Sequence, residues 1–246
     1  MILPSEFLGP KTGAPSGLRH ASGVKRVIDV VLSSIGLIVL LPVFAAVAVA
    51  IKIDSRGPVF YAQERVGLNR RRRLNGNGNG NGNGHGNGHA PARDQRRQDC
   101  FGRPFKIYKF RSMVVDAEKN TGAVWATKND SRITRLGAFL RKSRLDETPQ
   151  LWNVLKGDMS LVGPRPERPK FVVELAQSLP DYAGRCDALP GITGLAQVKW
   201  HYDTSIETVN RKLQYDLYYV QNRRLLLDLK IMAATVKVMA RGEGAH

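Results

Sequence analysis

Residues Val30–Ile51 read VVLSSIGLIVLLPVFAAVAVAI, twenty-two positions without a charge, set between Asp29 and Lys52. At ~1.5 Å per residue a straight helix of that length reaches about 33 Å, just enough to cross a hydrocarbon core of about 30 Å. Pro42 lies inside the run. It removes one N–H, frees the carbonyl of Ile38 and favours a kink, and Ser33, Ser34 or water would have to serve that carbonyl at membrane depth. Lys25 and Arg26 precede the run, and Lys52, Arg56 and Arg65 follow it. An excess of Lys and Arg marks the cytoplasmic side of a membrane segment, so both flanks point to one side. The expectation is a re-entrant helix-break-helix that enters one leaflet and returns. Ala46-Val47-Ala48 imitates a signal-peptide cleavage site, but the run exceeds an h-region of about 7 to 15 residues and basic sequence follows it. A buried core helix of this length would ordinarily carry a charge.

Working outward, the chain of 246 residues has 38 Lys+Arg against 21 Asp+Glu, a formal charge of +17. That balance calls for an anionic partner: nucleic acid, anionic lipid or a phosphorylated substrate. Cys100 and Cys186 form neither a disulfide framework nor a CxxC pair, which excludes a secreted disulfide scaffold and fits a reducing compartment. The fold class is α+β, in three parts. Residues 1–24, with Pro4, Pro10, Gly13, Pro15 and Gly17, read as a disordered lead-in. Residues 25–53 form the membrane element, and residues 54–246 a small domain with a short β-hairpin and several helices, some amphipathic at the membrane surface.

Within that domain Pro58–Gly67 (PVFYAQERVG) and Arg103–Met113 (RPFKIYKFRSM) read as two strands able to pair as a hairpin. An insertion at about 69–100 separates them. It carries Arg70 to Arg73 and the repeat NGNGNGNGNGHGNGH from Asn75 to His89, a low-complexity stretch expected to be disordered. Ile133, Leu136, Phe139 and Leu140 have near-helical spacing between Asp130 and Arg144, and Leu151, Trp152, Val154 and Leu155 give a short helix an apolar face up to Gly157. Further helices are expected over Phe171–Leu179 and along Ile206, Val209, Leu213, Leu217 and Val220, with a PGITG turn at Pro190–Gly194. The apolar segment LLLDLKIMAATVKVM, from Leu225, suits packing at a membrane face.

Asp146 and Glu147 stand out chemically, with Arg141, Lys142 and Arg144 before them and Lys156, Arg165 and Arg168 after. A carboxylate attacking an anionic phosphorus needs cations nearby, and a divalent metal as well, to offset charge repulsion. Adjacent acids at a helix start ordinarily do no more than cap the helix and complement its dipole, and the residues alone leave both readings open. No Walker loop, GxGxxG, HExxH or zinc spacing is present.

KRVIDVV with the proline-broken run, GPVFYAQERVG, FKIYKFRSM, RITRLGAFLRKSRLDETPQLWNVLKGDMSLVGPRP, PGITGLAQV and KLQYDLYYV together resemble the bacterial sugar transferase family, the monotopic phosphoglycosyl transferases. The resemblance covers Lys25 to Met239 apart from the insertion. It implies transfer of a sugar phosphate from a UDP-sugar to polyprenyl (undecaprenyl) phosphate, with UMP released and Mg2+ required, at the inner membrane with the catalytic domain facing the cytoplasm. By the same resemblance Asp146 is the nucleophile and a magnesium ligand, and Glu147 is its dyad partner. Arg141 and Arg165 match phosphate-binding positions, Lys109 and Arg111 are further phosphate candidates, and Asp216 matches the acid of a KxxxDxYY-like motif. Pro164 and Pro166 flank Arg165 in the region tied to nucleotide recognition. Two departures stand out: the Asn-Gly insertion replaces a short turn, and Lys199, Trp200 and His201 replace an Asn-Gly-Arg-like run, which leaves the sugar open. Larger relatives place a bundle of membrane helices before the catalytic region, and the chain resembles the short form.

A membrane-tethered nucleic-acid or anionic-lipid binder is the competing class, on the strength of the +17 charge and Arg70 to Arg73. No aromatic residue lies between Tyr61 and Phe101 to stack on bases, and basic residues beside a bilayer are equally suited to anionic membrane lipid, so no nucleic acid is expected. Which glycan is built and whether the chain forms a homodimer stay open.

Overall fold

A computed structural model describes residues 18–69, 101–119, 122, 130–200 and 206–241. Of the lead-in expected over 1–24, residues 1–17 lie outside the described residues, as does the Arg/Asn-Gly insertion from 70 to 100, whereas 18–24 are helical rather than disordered.

Helix α1 spans Leu18–Asp54 and contains Pro42. The expected break in the helix is absent: a proline removes one backbone bond and can bend an axis without ending the element. Ser33 does not serve the Ile38 carbonyl, because its hydroxyl donates to the carbonyl of Val30 at 3.1 Å. What distinguishes α1 from an isolated membrane helix is that the rest of the chain holds it near both ends. Lys25 donates to Asp228 at 2.7 Å and to the Val162 carbonyl at 3.1 Å. Arg26 donates to the carbonyls of Val154 and Leu155, and the buried Asp29 carboxylate accepts from the Leu161 amide at 3.0 Å. Toward the other end Phe44, Val47 and Ile51 pack with Phe110 and Leu140. Between these anchorages Ile38, Val39 and Leu41 are exposed.

Strands β1 (Phe60–Val66) and β2 (Pro104–Phe110) pair antiparallel, with Phe60 opposite Phe110 and Val66 opposite Pro104, as their alternation predicts. Asn153 covers the backbone of β2 from the side: its amide oxygen accepts from the Tyr108 N–H at 3.1 Å and its nitrogen donates to the Lys106 carbonyl at 2.7 Å. Helix α2 (Arg135–Lys142) starts at Thr134, whose hydroxyl accepts from the Gly137 amide. A Cβ at Gly137 would sit 1.9 Å from the Ser112 carbonyl oxygen, so only glycine lets α2 lie this close to the end of β2. Leu140 is buried there, while Phe139 faces outward.

Helix α3 (Gln150–Lys156) begins after Pro149, which occupies the N-cap position. Asp146 is therefore not its cap. Val154 forms the buried face of α3, and Trp152, expected on that face, is half exposed. Strand β3 (Ser160–Val162) runs parallel to β4 (Gly191–Thr193), which sits where a simple turn was expected. Helices α4 (Pro169–Ser178), α5 (Leu195–Lys199), α6 (Ile206–Asn222) and α7 (Leu225–Ala240) complete the domain. Val172 and Leu175 of α4 meet Val209 and Leu213 of α6 in one core cluster, together with Tyr182. On α7, Ile231 is buried while Leu226, Leu229, Val236 and Met239 are exposed.

Candidate active site

Asp146 and Glu147 lie on a single 3-10 turn, Leu145–Glu147, between α2 and α3. Arg144 opens that turn in the left-handed region, at φ 59°. This one reversal takes the chain out of α2 and brings both acids inward, where Asp146 is 7% and Glu147 9% exposed.

The two neighbours are treated oppositely. Glu147 is clamped: Lys109 of β2 donates to it at 2.7 Å, and Arg165 donates to both of its oxygens, at 2.5 and 3.3 Å. Burial alone would raise its pKa, but Arg165 and Lys109 outweigh burial and hold the carboxyl well below its ordinary range. Asp146 has no hydrogen bond or ion pair among the described residues. Burial pushes its carboxyl upward, Lys109 opposes that, Glu147 adds to it, and Arg141 and Arg165 pull down. Glu147 is thus a fixed anion that orders two cations, and Asp146 is an uncommitted carboxylate beside them.

The segment carrying Arg165 is pinned at every carbonyl. Pro164 accepts from the Gly191 amide, Arg165 from Arg185, Pro166 from Arg65 and Glu167 from the Val66 amide, at 2.8 to 3.1 Å. Backbones meet directly at its start, since a Cβ at Gly163 would lie 2.2 Å from the Leu189 carbonyl oxygen. The VGPRP and PGITG segments therefore form one backbone-on-backbone contact that aims Arg165 at Glu147. Arg65, Ile107, Lys109, Gln150, Arg165 and Pro166 line a cleft, and Pro164 faces an adjoining depression with Val66 and Gly67.

Five of the residues singled out in the sequence come together here: Asp146, Glu147, Lys109, Arg165 and Arg141, whose Nε donates to the Ser112 hydroxyl at 3.0 Å. Pro166 lines the cleft with Lys109 and Arg165. Two do not. β2 ends at Phe110, and beyond it Arg111 gives its guanidinium to the carbonyls of Ser55 and Arg56 just past α1. Asp216 pairs with Arg185 at 2.7 Å, and that arginine in turn donates to the Arg165 carbonyl. Arg185 and Gln150 were not foreseen. Arg185 lies in a stretch with no motif, and Gln150 carries no charge to mark it.

Of the acidic pair, Glu147 is taken up by Lys109 and Arg165, so Asp146 is the acid that would hold a divalent cation. No group of three or more His, Cys, Asp or Glu gathers among the described residues. Mg2+, however, commonly binds one or two carboxylates plus substrate phosphates, and Asp146 offers a carboxylate with no hydrogen bond among the described residues.

The bacterial sugar transferase model matches residues 20–74 and 88–242, leaving out most of the Asn-Gly repeat. The chain is 38% identical over 223 residues, 91% of its length, to the UDP-N-acetylgalactosamine-undecaprenyl-phosphate N-acetylgalactosaminephosphotransferase of Aeromonas hydrophila, of which it covers 45%. It is 37% identical over 214 residues, 86% of its length, to the UDP-glucose:undecaprenyl-phosphate glucose-1-phosphate transferase of Klebsiella pneumoniae, covering 39% of that protein. Against the Caulobacter vibrioides transferase of the same description it is 34% identical over 224 residues, 90% of this chain and 72% of that one. The chain thus spans less than half of the first two relatives. None of these matches supports a nucleic-acid binder.

Proposed function

We propose, from the premise that the chain belongs to the bacterial sugar transferase family, that it transfers a sugar-1-phosphate from a UDP-sugar to polyprenyl phosphate through a phosphosugar-aspartyl intermediate. The observation that carries this reading is the buried, uncommitted Asp146 carboxylate beside a Glu147 locked between Lys109 and Arg165.

In the first step an Asp146 oxygen attacks the β-phosphorus of the donor. A bond forms from carboxylate oxygen to phosphorus, the bond from that phosphorus to the bridging oxygen breaks, and UMP departs with the electron pair. In the second, an oxygen of polyprenyl phosphate attacks the same phosphorus, the acyl–oxygen bond to phosphorus breaks, and Asp146 is regenerated. Lys109 and Arg165 neutralise phosphate oxygens and Arg141 adds charge from α2, while Glu147 fixes the first two in place. Asp146 is the residue that would hold Mg2+, whose charge would add to the neutralisation of the phosphates there.

The acceptor is a lipid, so the cleft must work at a bilayer. The two ends of α1 dock through Lys25, Arg26 and Asp29 and through Val47 and Ile51 onto one domain. A span would put those ends on opposite faces of a core about 30 Å thick. Their common anchorage supports a re-entrant element, with the domain on the cytoplasmic side and the exposed apolar face of α7 against the lipid.

The test is to incubate the full chain in membranes with polyprenyl phosphate, Mg2+ and each of a panel of UDP-sugars, and to measure nucleotide. UMP released with a lipid-linked diphosphosugar is expected. Release of UDP, or no nucleotide from any donor, would overturn the reading.

A further inference from the structure

Gln150 is the first residue of α3 and lies four positions after Asp146. Its side chain lines the cleft with Lys109 and Arg165, yet the residue is only 2% exposed. Its Nε2 is buried and has no hydrogen-bond partner among the described residues. Buried amide groups in folded proteins are nearly always paired, so an orphan donor asks for an explanation. The same helix shows how a structural amide behaves: Asn153, equally buried, uses both ends of its side chain on β2. The Nε2 end of Gln150 thus contributes no hydrogen bond to the core among the described residues.

The missing acceptor has a recognisable character. Three cations, Arg65, Lys109 and Arg165, line the same cleft as Gln150. An anionic oxygen would satisfy the orphan N–H and suit a cleft lined by cations, whereas a further donor would do neither.

We infer that Gln150 is a substrate-binding residue whose amide N–H donates to a phosphoryl oxygen of a reactant held between Lys109 and Arg165. This rests on the phosphoglycosyl transfer proposed above and adds a neutral third donor to its two cations. A neutral donor orients the phosphoryl group without further screening of the Asp146 charge. A bond to an oxygen that gains charge as phosphorus becomes five-coordinate speeds the chemical step, so its loss falls on kcat more than on KM. The phosphate concerned belongs either to the nucleotide donor or to the lipid acceptor, and the two half-reactions separate them.

The experiment uses the full chain in lipid nanodiscs, wild type against Gln150→Met and Gln150→Leu, with two rates and a melting temperature. The rates are the UMP burst without acceptor and steady turnover with polyprenyl phosphate. Both variants are expected to melt at or above the wild-type temperature, because they delete an unpaired buried donor. At least one rate should fall by roughly ten- to a hundredfold, the scale of a lost charge-assisted hydrogen bond. A slowed burst assigns the contact to the donor diphosphate, and an intact burst with slowed turnover assigns it to the lipid phosphate. Unchanged rates in both variants overturn the inference, as does a clear drop in both melting temperatures. A loss that differs between UDP-sugars also overturns it, because the contact would then be to the sugar. If the wild type releases no UMP, the parent reading fails first, which the same assay shows directly.

Discussion

Neutralising Asp146 and neutralising Glu147 should both stop transfer while shifting stability in opposite directions. Asp146→Asn removes a carboxylate that is 7% exposed, has no hydrogen bond among the described residues, and has its pKa raised by burial with the help of Glu147. A raised carboxyl pKa means that folding disfavours the charged form, so the uncharged amide should be the more stable side chain at neutral pH. Relief of the burial penalty on the charge is offset by the lost attraction to Lys109, Arg141 and Arg165 and by the polarity of the amide itself, which leaves a gain of about 1 kcal/mol. For a domain of this size that is an increase in melting temperature of about 2–4 °C. Glu147→Gln breaks two ion pairs and leaves Lys109 and Arg165 facing each other. Removing one partner of a buried pair costs about 3–5 kcal/mol, and the 40% exposure of the Arg165 side chain lowers this to about 2–4 kcal/mol. Melting of both variants in nanodiscs, followed across pH, is the assay. As pH falls through the raised pKa of Asp146, the wild type becomes neutral there too, so the advantage of Asp146→Asn should shrink. The stabilising contribution of Glu147 is present above its unfolded pKa of about 4.3 and is lost only as pH falls through its depressed folded value. Equal destabilisation by the two substitutions would refute the division of roles.

The rate of the UMP burst should decline on acidification through a pH above the ordinary Asp value of about 3.9, because attack needs the ionised carboxylate. Arg141→Gln removes a charge that lowers that pKa and should move the acid limb to higher pH in a pH–rate profile. Replacing Asn75 to His89 with a short Gly-Ser turn should leave turnover within a few fold of wild type. The hairpin closes before the insertion, with Gly67 donating to the Arg103 carbonyl at 2.9 Å, and loop length alters closure by only about 0.6 kcal/mol per doubling. An inactive but folded variant would assign the loop a role. In a background without Cys100 and Cys186, Gly23→Cys and Arg56→Cys should both resist a membrane-impermeant thiol reagent in intact cells. Labelling of one alone would establish a span.

The sequence makes the hairpin legible through alternation, and α2, α4 and α6 through apolar spacing. Residues such as Phe110 or Leu213 meet the core because of where they stand in a local period. β3 and β4 were not legible: each has three residues, too few for a period, and each partner lies about thirty positions away. Pro149 takes the cap position that the sequence left open to Asp146, and Pro42 bent expectation toward a break that α1 does not have. For the site, motif resemblance marked Asp146, Glu147 and Arg165. The Arg185 and Asp216 pair that steadies the Arg165 carbonyl joins segments thirty-one residues apart, and no local pattern announces it. Arg111 had the right charge and the wrong surroundings, since the carbonyls after α1 compete for it.

Covalent capture on Asp146 is the most direct test of the central claim. The full chain is mixed with Mg2+ and its UDP-sugar donor without lipid acceptor, quenched, digested and weighed by mass spectrometry. One sugar-phosphate increment on the peptide containing Asp146 is expected, formed together with an equivalent of UMP and discharged when polyprenyl phosphate is added. UMP release with no increment on that peptide, or an increment on a different residue, would contradict the aspartyl mechanism.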